Sequence, residues 1–241
     1  MLAPDYNIFH SIAEYFSIFI SIAIFFFVWQ KRKSFKNDYL LFVGIAYLFV
    51  GGIDFIHTLA YKGMNIFSGY EGANLSVQLW IIARYVQAIS LLVAPIFITK
   101  KLWPKFTMFI YAILSIFLMW TAFAGIFPDT FLEGSGLTYF KIFSEYIISA
   151  ILFLALLTFL QYRDMFKLET LYLIVASIGF TVLSELSFTF YISVFGLSNF
   201  FGHIFKVIAF FLFFKAIFIM KDELLSKPEK KVKKNKKVKI S

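Results

Sequence analysis

GGIDFIHTLAYKGM, residues 51–64, decides how this chain has to be read. An apolar helix carries Asp54 and His57 just before it meets water, and a carboxylate and an imidazole three residues apart share one helix face. An ionisable residue inside a membrane span costs about 2.5–3.5 kcal/mol even on the lenient insertion scale. A residue kept at that cost points to a partner or a ligand.

The rest of the composition agrees that the surroundings are hydrocarbon. Hydrophobic residues make up 61% of the chain and charged residues 15%, with a mean hydropathy of +0.82. Apolar runs recur at about 20 residues, the length needed to cross a bilayer. These features exclude a soluble globule and predict an all-α, polytopic membrane protein. The 35 phenylalanines read as lipid-facing filler, and no function is drawn from them. The absence of cysteine excludes disulfides, thiolate zinc, iron–sulfur clusters and cysteine nucleophiles, so a metal here has to be held by His and carboxylates.

Taken in order, the pattern predicts seven transmembrane helices, at about 9–29, 39–60, 76–99, 106–124, 139–161, 169–194 and 199–220, forming one domain over residues 1–225. Residues 1–8 lack the positive start and cleavage site of a signal peptide, so the first run is kept as a helix. The loops at 30–38, 99–105 and 162–168 carry nine Lys and Arg, whereas those at 61–75, 125–138 and 195–198 carry only Lys62. The positive-inside rule then places the N-terminus outside and the C-terminus in the cytoplasm, which suits a plasma membrane (the cell inner membrane). Residues 226–241 are expected to be a basic, disordered cytoplasmic tail, drawn to anionic headgroups rather than binding nucleic acid specifically.

On this topology the ionisable groups within the helices fall in one layer. His10 and Glu14 share a face of helix 1, with Ser17 and Ser21 continuing the stripe. Asp54 and His57 come from helix 2, Trp80, Arg84 and Gln87 from helix 3, and Glu145 from helix 5. Helix 6 supplies Thr181 and Glu185, and helix 7 supplies His203 and Lys206. At 1.5 Å per residue, these lie roughly 5–15 Å from the outer boundary. Helix 4 has no ionisable residue between Lys105 and Asp129 and is expected at the periphery, with the other six around a polar pocket. Four carboxylates against Arg84 and Lys206 leave two negative charges, to be met by a proton, a protonated His or a divalent cation. Blander roles exist for single members: Glu145 as an interfacial residue, Trp80 as a membrane-interface anchor, Lys215 as a snorkelling lysine. Convergence from six helices on one layer favours a functional site.

Three chemistries suit it. His10, Glu14, Asp54, His57 and His203 make a nitrogen and oxygen ligand set for a divalent transition metal such as zinc, iron or copper. One haem held by His57 and His203 is a second option, and a single layer excludes an electron-transfer chain. An organic ligand held by Trp80, Arg84, Gln87, Glu145, Glu185 and Lys206 is the third. An intramembrane metal-dependent hydrolase, with Glu14 or Asp54 as general base, is the competing class to a binding protein. The apolar helices below Gln87, Ser21 and Thr181 argue against a transporter path.

The segments FHSIAEYFSI, GIDFIHTLAYKGMNIF, QLWIIARY, SELSFTFY and NFFGHIFKVIAF together resemble the third type of membrane-associated sensor (MASE) domains, prokaryotic integral-membrane input modules, from residue 7 to about 220. The matching positions are His10, Glu14, Asp54, His57, Trp80, Arg84, Glu185, His203 and Lys206. The resemblance implies a sensory, non-enzymatic role and a cytoplasmic output of kinase or nucleotide-cyclase type. About twenty residues follow helix 7. A stand-alone sensor acting on a partner, a binding protein without output, a piece of a longer chain and a homodimer all stay open.

Overall fold

The computed structural model describes residues 3–189 and 196–225. Among them are seven helices long and apolar enough to cross a membrane: α1 (Ala3–Lys31), α2 (Tyr39–Leu59), α3 (Asn74–Val93), α4 (Pro104–Phe123), α5 (Tyr139–Gln161), α6 (Leu168–Ser187) and α7 (Leu197–Leu225). The protein is therefore a polytopic all-α membrane protein. The basic tail expected from residue 226 lies outside the described residues, as does the stretch 190–194 that the sequence assigned to helix 6.

Local chemistry sets the ends of several helices. Pro95 lacks an amide hydrogen, and the chain after Val93 tightens into a 3₁₀ turn over Ala94–Ile98. Pro104 opens α4, where its missing donor costs nothing. The Thr138 hydroxyl caps α5 by accepting from the Lys141 amide at 3.3 Å.

Six helices close a ring in the order α1, α2, α3, α5, α6, α7, with α7 returning against α1. α4 stands outside that ring, against α2 and α3, and buries only Ser115 and Ala122. Its outward face of Phe106, Phe109, Ile113, Ile116, Phe117 and Trp120 suits hydrocarbon. The α1–α2 seam is close because small residues meet across it: a Cβ added at Gly51 would lie 2.8 Å from Ser21 Cβ, and one at Gly44 would lie 3.2 Å from Val28 Cβ. α6 and α7 are joined by hydroxyls, Ser177 Oγ donating to the Ala209 carbonyl at 2.8 Å and Ser184 Oγ to the Gly202 carbonyl at 2.8 Å.

The ring interior differs between its two ends. Towards the basic loops it is filled by Ile24, Val28, Val43, Leu152, Phe159 and Phe213, and Tyr47 stacks on Phe213 at 4.8 Å between ring centres. The other end is polar. Above it a two-stranded hairpin, β1 (Phe131–Leu132) with β2 (Gly136–Leu137), is fastened to the start of α3. Asn74 Oδ1 accepts from the Thr130 and Phe131 amides at 2.9 and 3.0 Å. Glu133 accepts from Lys62 at 2.6 Å and from the Ala73 amide at 3.0 Å, and those two donors hold its carboxyl below the usual carboxylate range.

Candidate functional site

Every candidate site residue from the sequence lies at the polar end of the ring, and all are buried: His10 and Glu14 on α1, Asp54 and His57 on α2, Trp80, Arg84 and Gln87 on α3, Glu145 on α5, Glu185 on α6, His203 and Lys206 on α7. The antiparallel register of α1 and α2, in which Ser21 faces Gly51, brings Glu14 to the depth of His57 and Thr58, about one turn from Asp54. Trp80 is not an interface anchor. It is 4% exposed, with Arg84 and Lys206 lying 4.7 and 4.6 Å from its ring centre.

The site has three parts. In the first, Asp54 takes Arg84 Nη2 on both oxygens, at 2.6 and 2.5 Å. Lys206 Nζ lies 2.6 Å from Glu14 Oε2 and 3.1 Å from Asp54 Oδ2, so one ammonium ties α7 to α1 and α2. Arg84 also donates to Gln87 Oε1, and Gln87 donates to the Tyr47 hydroxyl at 3.3 Å, which ends the polar network against the apolar half. Charges packed this way in a dry interior hold their geometry because each lone ion would be costly.

The second part adds Lys141, which was not read from the sequence, to Glu145 and Glu185, which were. Lys141 is buried, 2.5 Å from Glu145 Oε1, and donates to the Phe188 carbonyl at 2.6 Å where α6 ends. Glu185 faces Glu145 from α6. Glu145 is thus no interfacial residue, and the charge balance changes: four carboxylates now stand against Arg84, Lys141 and Lys206. The i,i+4 spacing of Lys141 and Glu145 was the available signal.

The third part is the histidines. His57 Nδ1 is 2.7 Å from the Ser76 carbonyl and His203 Nδ1 is 2.7 Å from the Asn199 carbonyl. A carbonyl only accepts, so both rings carry a proton on Nδ1, and in the neutral ring Nε2 is the lone pair. His10 stacks on Tyr61 with ring centres 3.6 Å apart and meets His203 and His57 edge-on at 4.7 and 5.4 Å. His203 Nε2 lies 3.4 Å from Glu14 Oε1, longer than a good hydrogen bond. One ligand atom each from His10, Glu14, His57 and His203 all fall within 4.8 Å of one another. Asp54, included in the metal set from the sequence, turns instead to Arg84 and Lys206.

A cavity of about 20 Å³ adjoins His57, Tyr61, Trp80, Lys141, Phe188 and His203, room for about one water. With the imidazoles this close and so little space beside them, the haem expected as an alternative has no room for its macrocycle between His57 and His203.

A seven-helix membrane protein enclosing a buried ionic and imidazole cluster at one end is the class these features define. The chain belongs to MASE3, the membrane-associated sensor domains, whose family model matches residues 2–222. No curated protein and no solved structure matches it. Its role is that of a membrane sensor domain.

Proposed function

We propose that this protein is a sensory input domain of the plasma membrane, N-terminus outside and C-terminus in the cytoplasm, whose buried cluster receives a small stimulus near the outer face. α7 passes the response to a cytoplasmic output partner of kinase or nucleotide-cyclase type. The orientation rests on the nine basic residues in the loops at one end against Lys62 alone at the other.

The observation that carries the reading is Lys206, a residue of α7 bonded to Glu14 of α1 at 2.6 Å and near Asp54 of α2 at 3.1 Å. A stimulus that changes the charge or partners of Glu14 alters the force on α7 directly. That gives it the differential interaction with two bundle arrangements which signalling requires.

The test uses the naturally cysteine-free chain. Nitroxide labels at Lys31→Cys, the end of α1, and Lys215→Cys, an exposed position on α7, report the α1–α7 distance in lipid nanodiscs. Glu14→Gln removes the Lys206 tie and is expected to shift the distance distribution. An unchanged distribution would overturn the coupling of α7 to the cluster.

A further inference from the structure

Building on the reading of this cluster as the stimulus site, we propose that the stimulus is a divalent first-row transition-metal ion, with zinc the best fit, held by His10, Glu14, His57 and His203. Four ligand atoms from three helices already converge within 4.8 Å. In a tetrahedral zinc site with bonds of about 2.0–2.1 Å, neighbouring ligand atoms stand roughly 3.3–3.4 Å apart. His203 Nε2 and Glu14 Oε1 are at 3.4 Å.

The surroundings are arranged as metal sites require. The Ser76 and Asn199 carbonyls fix the tautomers of His57 and His203 so that Nε2 is the free lone pair in each, the role outer-shell acceptors play behind zinc-bound imidazoles. Several buried atoms of these four residues have no hydrogen bond among the described residues: both ring nitrogens of His10, of which one can ligate, Glu14 Oε1, and Nε2 of His57 and of His203. Buried polar atoms are normally satisfied, and an unsatisfied atom on each of four residues whose ligand atoms lie within 4.8 Å of one another fits a cation that accepts lone pairs. Three imidazoles and one carboxylate disfavour calcium and magnesium, which take oxygen ligands, and suit zinc or its neighbours.

The charge balance gives the ion something to do. Four buried carboxylates against Arg84, Lys141 and Lys206 leave one formal negative charge, so a divalent ion reverses the sign of the cluster. It binds the same carboxylate as Lys206, taking Glu14 Oε1 while the ammonium sits on Oε2 at 2.6 Å. The ion therefore draws His203 inward and repels Lys206 one turn below it on α7, which turns a binding event into a torque on that helix.

The chain has only three histidines, all in this cluster, so an affinity tag without histidine leaves no imidazole background. Full-length protein in detergent is titrated with Co2+, read by the visible absorption of a tetrahedral ion, and then with Zn2+ in competition. We expect one equivalent bound, displaced by zinc, with His10→Ala, His57→Ala and His203→Ala each weakening binding at least 10-fold and Glu133→Gln leaving it unchanged. Absence of stoichiometric binding by the wild type overturns the site. Should the His variants fail to fold, X-ray absorption of the zinc-loaded wild type decides: three imidazoles support the site, and fewer than three overturn it. Zinc bound without a change in the Lys31–Lys215 label distance overturns the sensory reading and leaves the metal site standing. A distance shift in Glu14→Gln with no metal bound by the wild type does the reverse.

Discussion

Asp54 takes Arg84 on both oxygens at 2.6 and 2.5 Å and has Lys206 at 3.1 Å, all with no contact to solvent. Replacing it by Asn removes the negative charge that both cations face and leaves one acceptor oxygen in place of two. Removing one partner of a buried pair costs about 3–5 kcal/mol, far more than the net worth of the pair, because the other ion stays buried. Asp54→Asn is therefore expected to lower the melting temperature in detergent sharply, and an unchanged melt would show that the pair carries no stability. Asp54, His57, Arg84 and their companions were legible in the sequence because each interrupts an apolar helix at a cost. Lys141 was not, since a lysine two residues inside a helix start looks interfacial. Its burial is a consequence of ring closure around α5, which no local pattern encodes. The sorting of Asp54 away from the histidines was equally hidden, because spacing along α2 puts it beside His57 whichever partner it takes.

Two adjacent glycines separate packing from backbone propensity at the scale of the helix. Gly51 faces α1, where an added Cβ would sit 2.8 Å from Ser21 Cβ, while at Gly52 it would meet nothing within 4 Å. Gly51→Ala is expected to force α1 and α2 apart and destabilise by about 1–3 kcal/mol. Gly52→Ala is expected to be neutral or stabilising by up to ~1 kcal/mol through helix propensity. Thermal melts of the two variants check the pair, and the opposite ranking would place the α1–α2 seam elsewhere. The number of helices was readable because apolar runs of spanning length alternate with charged loops. Their ends were less so: α1 begins at Ala3 rather than near residue 9, continuing so that Tyr6 stacks on Tyr61 at 6.4 Å. The apolar run that set the expected start begins only after Asp5 and Asn7, and the tertiary contact of Tyr6 with Tyr61 beyond the end of α2 gives the earlier turn a reason to be helical.

The whole molecule joins a polar end to a mostly apolar one, and the hydrogen-bond network that runs through Gln87 ends at Tyr47, which stacks on Phe213, so a response at the cluster is carried onward as helix movement. α6 and α7 are bound to each other by Ser177 and Ser184 and so move as a pair, which leaves the α1–α7 contact, where Lys206 meets Glu14, as the boundary that yields. The direction of that traffic depends on orientation, which packing alone does not contain, since an inverted bundle has the same internal contacts. Loop charge carries that information instead. Single cysteines placed at Glu71, in the loop beside the cluster, and at Lys101, in the basic loop before α4, are both at exposed positions of a chain with no other thiol. A membrane-impermeant maleimide is expected to label Glu71→Cys in intact cells and Lys101→Cys only after permeabilisation. The reverse pattern would set the histidines against the cytoplasm, making the stimulus internal. α7 would then carry movement away from any cytoplasmic partner, and the sensory reading would need a different output surface.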